Sequence, residues 1–305
     1  MSIICNNMPL HLPENIKVHF AAAEVQNQFE ALKTMGVSYY LYTCYPWVSK
    51  MVFGNAPIRG DECIRIPSYI AENSLHTIQD SGLFTLLFGT MKGKVSREIV
   101  WRWYDAMVQF TLNHGQPVSV VEVDCQRLLG VQTAWEFREK LRNDLSNNRI
   151  INVFHLEDGA KGLDRLIEYS DYLAISVPEF RLAHKRDYVH RVAAYIKNKK
   201  PSIDIHLLGC TEMPIAKQCR FATSCDSTSY TYGVRYGKTW YLREKRHISA
   251  FSPEKIREKF GEKYEEILKF NREQRACTFI VEIDYLQRLY ESNLGNQDYF
   301  KCLKK

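Results

Sequence analysis

Short apolar runs of strand length alternate along this chain with longer stretches in which apolar residues return every three or four positions. Residues 16–20 read as a strand and 23–35 as an amphipathic helix, followed by an aromatic strand over 38–43. Pro46, Pro57 and Pro67, with Gly54 and Gly60, predict that 45–74 is long loop with limited structure. Further strands are predicted over 76–80, 118–124, 150–156, 172–177, 203–209 and 221–225. Helices over 96–112, 132–145, 163–169 and 185–197, and a short one over 214–219, separate them. Ser252-Pro253, an N-cap followed by proline at the first helical position, opens a helical ending over 253–270 and 274–293.

Strands that alternate with helices predict a parallel sheet with right-handed crossovers, and eight strand-like segments favour a (β/α)8 TIM-like barrel. A doubly wound open sheet is the alternative, but the chain has neither a G-x-G-x-x-G turn nor a P-loop. With no internal repeat or obvious linker, residues 1–305 read as one domain, of which 250–305 form a helical extension.

Three of the strand-like runs end on an aspartate: Asp80, Asp124 and Asp226. The carboxyl ends of barrel strands converge on one mouth, where catalytic side chains collect. One aspartate after a strand is a common helix cap. Three together make an acidic pocket, which suits glycosidic-bond chemistry. Asp80 is followed by Ser81 and Gly82, where glycine permits a sharp turn, and Phe84 then stands where it can stack on a planar ring.

The net charge of +6 permits a polyanionic partner. Arg235, Lys238, Arg243, Lys245 and Arg246 follow Asp226 and are interleaved with Tyr230, Tyr232, Tyr236, Trp240 and Tyr241, a mixture suited to phosphates and unstacked bases. Lys185, Arg186, Arg191, Lys197, Lys199 and Lys200 read instead as a solvated helix face. The nine cysteines are odd in number, scattered and without a C-x-x-C pair, as expected of reduced, buried thiols. There is no apolar run of about 18 residues, and the first residues lack the layout of a secretory signal. The expectation is a cytoplasmic protein with no membrane partner.

The motifs also resemble a known family. Ile78-Gln79-Asp80-Ser81-Gly82-Leu83-Phe84 is similar to the D-S-G-G-F-Q segment of the tRNA-guanine transglycosylases, and Val123-Asp124-Cys125 to their F-D-E-C. Asn152-Val153-Phe154-His155 falls where that family has G-I-V-Q, and Tyr172-Leu173-Ala174-Ile175-Ser176 where it has Y-A-I-G-G. His206-Leu207-Leu208-Gly209 resembles Y-L-M-G, and Cys225-Asp226-Ser227 takes the place of F-D-C. Order and spacing agree over residues 76–240, roughly half the chain.

The resemblance implies a barrel enzyme that exchanges guanine for a 7-deazaguanine without breaking the phosphodiester chain. It implies Asp226 as nucleophile at C1′, Asp80 as general acid/base and Asp124 as reader of the guanine amide-amidine edge. Phe84, Ser81, Gly82, His155, Ser176, Val177 and Gly209 become base-binding positions.

The departures matter as well. Beyond Asp226 only Cys277 and Cys302 remain, so the family's C-x-C-x-x-C…H zinc site is absent and neither zinc nor another cofactor is expected. His155-Leu156-Glu157 replaces Q-G-G, and Thr85 stands for the glutamine after the phenylalanine. A zinc-free chain of this kind resembles the phage DpdA proteins, which insert 7-deazaguanines such as preQ0 into DNA. The expected partners are therefore DNA and a free 7-deazaguanine base, in a host cytoplasm if the chain is phage-encoded. A tRNA-guanine transglycosylase without zinc, and a non-catalytic nucleic-acid-binding subunit, are the alternatives.

Overall fold

The computed structural model describes residues 16–54, 65–89, 94–113, 118–210, 212–219, 221–236 and 252–292. Eight parallel strands close on themselves in sequence order: β1 (Lys17–Phe20), β2 (Tyr39–Thr43), β3 (His76–Asp80), β4 (Ser119–Val121), β5 (Arg149–Phe154), β6 (Tyr172–Ser176), β7 (Asp204–Leu208) and β8 (Ser224–Ser227). β8 closes the ring on β1, with His19 in register with Asp226. This is a (β/α)8 barrel.

Helices α1 (Gln26–Met35), α2 (Tyr45–Phe53), α3 (Arg65–Asn73), α4 (Leu83–Phe88) and α5 (Arg97–Leu112) surround the first half of the ring. They are followed by α6 (Gln126–Asp144), α7 (Gly159–Tyr169), α8 (Val177–Leu182), α9 (Val189–Lys199), α10 (Met213–Gln218) and α11 (Tyr232–Tyr236). The chain continues through α12 (Pro253–Phe260), α13 (Glu262–Leu268) and α14 (Glu273–Ser292). α14 packs on α1 and β1, the place where a barrel's eighth helix closes the ring. Among the described residues, no helix is long and apolar enough to cross a membrane.

The main core lies between the sheet and its helices, with fully buried Trp103, Tyr104, Phe137 and Phe180. A second cluster, including Leu41, Ile78, Val121, Val153 and Ala174, fills the barrel itself. The strand period of two puts His76, Ile78 and Asp80 on one inward face of β3, and Ser224 and Asp226 on that of β8. Six described cysteines are buried and unpaired.

The stretch 45–74 is not simply loop, because α2 and α3 lie in it. Pro46 falls in the first turn of α2, where its missing N–H costs nothing, and Gly54 caps the far end at φ +71°. The predicted strand 118–124 ends at Val121, so Asp124 stands on the loop beyond it. β8 lies three residues later at its start than predicted, which places Asp226 inside the strand. Val177 begins α8 rather than ending β6, with Pro178 in the first turn. The predicted helix 253–270 is broken at Gly261, whose φ +48°, ψ −119° no helix can hold.

Candidate active site

Each aspartate reaches the same mouth from a different strand. Asp80 ends β3 in register with Thr43 of β2. Its Oδ2 accepts the Gly82 amide at 3.0 Å, and the Thr43 hydroxyl also bonds to the carboxylate. Burial, then repulsion from Asp124 and Asp226, pushes Asp80 from 3.8 up to about 7. The turn needs glycine: Gly82 has φ +71°, and a Cβ there would meet Tyr45 Cβ at 2.8 Å. Ser81 is buried; its hydroxyl accepts the Leu83 amide and its carbonyl accepts the Trp103 indole N–H at 2.8 Å. Ser81 therefore anchors the turn. Phe84, 59% exposed, stands on the first turn of α4 beside it.

Asp124 and His155 follow β4 and β5 and are held by a buried ionic network. Arg138 Nε lies 2.9 Å from both Glu122 oxygens, and Asn152 and the Val153 amide also donate to Glu122. Arg138 further pairs with Asp158 at 3.5 Å, and Asp158 Oδ2 accepts the His155 amide at 2.9 Å. His155 Nε2 is 3.2 Å from Asp124 Oδ2 and its Nδ1 is 3.0 Å from Glu179 Oε2. Burial would lower the imidazole, but the Asp124 and Glu179 carboxylates prevail and push it up to about 10. Glu157 is raised, by burial and by its hydrogen bond to Glu179, while Glu179 is lowered against its own burial by His155 and Glu157.

Asp226, 6% exposed, is the most enclosed of the three. Its Oδ1 lies 3.0 Å from His206 Nε2 and accepts the Gly209 amide at 2.7 Å. Gly209, at φ +66°, lies so close to α8 that a Cβ would meet Pro178 Cγ at 2.8 Å. Its amide thus serves the aspartate, while its carbonyl accepts Arg181 at 3.1 Å. Ser176 ends β6, half-buried at the mouth; the Val177 side chain is turned into the outer core, so Val177 can offer a base only its backbone.

Of the basic residues expected at a nucleic acid, Arg235 is exposed in the last turn of α11; Lys238, Arg243, Lys245 and Arg246 lie outside the described residues.

Three groups at the mouth are given no role by the sequence. Glu24, just past β1, has its carboxylate on the Thr43 amide at 3.3 Å, and burial raises it to about 7. Glu179 arrives on α8, and no motif marks it. His206 reads as one more histidine in an apolar strand. Among the described residues, His155, Glu157 and Glu179 are the constellation that could hold a metal, with ligand atoms within 4.8 Å of one another. Both ring nitrogens of His155 already face carboxylates, those of Asp124 and Glu179.

No family model matches the chain, and no curated protein matches it either. A search of solved structures finds similarity to the crystal structure of 2,3-dimethylmalate lyase, a PEP mutase/isocitrate lyase superfamily member. The TM-score is 0.40 and the identity 11%, over 85% of this chain and 95% of that one. That likeness carries nothing about chemistry. What the fold and site define is a (β/α)8 barrel with a carboxylate-lined mouth.

Proposed function

We infer that the chain is a base-exchange transglycosylase that replaces guanine in DNA with a 7-deazaguanine such as preQ0, through a covalent glycosyl intermediate on Asp226. The observation that carries this reading is the pairing of two unlike carboxylates at one mouth. Asp226 is anchored through one oxygen by His206 and Gly209, while Asp80 is raised to about 7. Divergent environments for neighbouring carboxyls mark separate nucleophile and acid/base roles.

A carboxylate oxygen of Asp226 bonds to C1′ as the bond from C1′ to guanine N9 breaks, and the electron pair leaves with the base. Asp80, protonated, supplies the proton that the departing base takes up. The incoming 7-deazaguanine then loses its N9 proton to Asp80, its nitrogen attacks C1′, and Asp226 leaves. Two displacements retain the configuration. Asp124 accepts the two N–H donors of the guanine amide-amidine edge, which adenine does not present, and the Phe84 ring covers the base. The nucleotide must be flipped from its stack to enter, at a cost of a few kcal/mol.

The test is incubation of the purified protein with 7-cyano-7-deazaguanine and either duplex DNA or bulk tRNA, followed by digestion and nucleoside mass spectrometry. Modified deoxynucleoside from DNA, abolished by Asp226→Ala, is expected. Modified ribonucleoside from tRNA alone would move the assignment to a zinc-free tRNA enzyme. Exchange with neither would leave a nucleic-acid-binding subunit as the better reading.

A further inference from the structure

A continuous hydrogen-bonded chain runs from the barrel interior to Asp226. The Tyr172 hydroxyl lies 2.5 Å from Ser224 Oγ, Ser224 Oγ lies 2.6 Å from His206 Nδ1, and His206 Nε2 lies 3.0 Å from Asp226 Oδ1. Tyr172, Ser224 and His206 are all fully buried inside the ring. They come from β6, β8 and β7, and the register pairs His206 with Ser224.

Only one direction of donation satisfies every group. Asp226, as a carboxylate, has no proton to give, so Nε2 of His206 must carry one. Nδ1 is then free to accept from Ser224, and Ser224 in turn accepts from Tyr172, which needs no further partner. Reversing the direction would leave the Tyr172 proton without an acceptor in a buried site, at the cost of an unmade hydrogen bond. The hydroxyls thus fix the imidazole tautomer, a role outer partners commonly play for functional histidines.

The consequence falls on the carboxylate. The His206 ring and the Gly209 amide both bond Oδ1, and among the described residues every hydrogen bond to this carboxylate falls on that one oxygen. Donors crowded on one oxygen fix the rotation of the group. The other oxygen, Oδ2, is left as the less hydrogen-bonded one, held in a fixed direction and available for attack.

The geometry points to His206 as a positioning residue for Asp226: with the Gly209 amide it clamps Oδ1, its tautomer set by Ser224 and Tyr172, and presents Oδ2 as the attacking oxygen. This assignment rests on the transglycosylase reading for the reaction it serves, but the tautomer it requires is a property of the protein alone.

Two measurements on the full chain separate the two. In nitrogen-15 NMR of histidine-labelled protein, His206 is expected to carry its proton on Nε2, with a shift that moves in Asp226→Ala and a tautomer that mixes in Ser224→Ala. In guanine exchange on duplex DNA, His206→Leu is expected to lower kcat by about 100-fold, the scale of losing one preorganised donor, with KM for the base nearly unchanged. His206→Gln, whose amide N–H reaches the place of Nε2, is expected to recover most of that loss. A proton on Nδ1, or a folded His206→Leu with wild-type kcat, overturns the assignment. The expected tautomer in a wild-type protein that exchanges no base overturns the transglycosylase reading and upholds the clamp. Should His206→Leu fail to fold, Ser224→Ala decides, since it leaves the ring in place and removes only the hydroxyl that sets the tautomer.

Discussion

His155 stands against Asp124 as a cation, its Nε2 3.2 Å from Asp124 Oδ2, and its other nitrogen reaches Glu179 on α8. One side chain therefore ties the exits of three neighbouring strands, β4, β5 and β6, into a single charged arc around the mouth. In the transglycosylase reading Asp124 accepts from the guanine edge, and the imidazolium fixes which way that carboxylate faces.

Replacing His155 should thus weaken base binding more than chemistry. For His155→Leu, KM for the free base should rise by about tenfold or more, the scale of a lost charge-assisted contact, with a smaller change in kcat. Steady-state kinetics with varied base check this; an unchanged KM would remove His155 from the base site. The raised imidazole also stabilises the fold. Its folded value of about 10 lies above the unfolded value of 6.5, so the contribution is complete below about 6.5 and fades as pH rises through 10. The difference in thermal midpoint between wild type and His155→Leu should accordingly shrink between pH 7 and pH 10.

Asp80 has the same sign for a different reason: its proton removes a buried charge where that of His155 creates a paired one. Its folded value, about 7, lies above the unfolded 3.8, so the native state holds a proton that the unfolded chain releases across that window. Stability therefore falls as pH rises from about 4 to 7, and Asp80→Asn should be the more stable protein at pH 8. The half-buried position sets the gain at about 1–3 kcal/mol, below the ceiling for a three-unit shift. Exchange by Asp80→Asn should meanwhile be lost at every pH. Urea unfolding of both proteins at pH 4.5 and pH 8 tests the sign; equal stability at both would mean that Asp80 is not held protonated.

Much of this arrangement can be read along the chain, and the parts that cannot share a cause. Strand parity makes Asp80 and Asp226 inward residues near the mouth, and periodicity alone supports eight strands. The boundaries slip where local signals conflict. Val118 to Val123 is apolar enough for a long strand, but β4 stops at Val121: the Glu122 amide makes one more bond to β5, to the Ile151 carbonyl, while its side chain meets Arg138 on the outer face. Pro46 reads as a breaker until its place in the first turn of α2 is known. His206 and Glu179 are invisible for a different reason: each acts through a partner 20 or 24 positions away, and a lone histidine in an apolar strand looks the same with or without an aspartate above it.

Gly209 joins the backbone to the nucleophile's clamp, which makes Gly209→Ala an informative change. Alanine at φ +66° costs about 1–2 kcal/mol, and its Cβ would press on Pro178. Relief of that contact moves the amide away from Asp226 Oδ1. The thermal midpoint should drop and kcat should fall by about tenfold or more, as expected when one of two donors is displaced. Wild-type kcat in Gly209→Ala would show that the amide is dispensable to Asp226.

Arg138 tests whether the mouth depends on the ionic network behind it. The guanidinium is 1% exposed, sits between Glu122 and Asp158, and lies on the outer side of the sheet from the aspartates. Removing one partner of a buried ion pair leaves uncompensated charge, and here two carboxylates would be stranded. Arg138→Met should cost about 3–5 kcal/mol in urea unfolding. Glu122→Gln with Arg138→Met together should cost less than the sum of the two single changes, because the double variant strands fewer charges. The functional effect should track His155, whose amide is held by Asp158 at 2.9 Å: a raised KM for the base, with the covalent Asp226 adduct still forming. An additive double variant would show that Glu122 and Arg138 stabilise the barrel independently, and that the positions of Asp124 and His155 are set by their own loops.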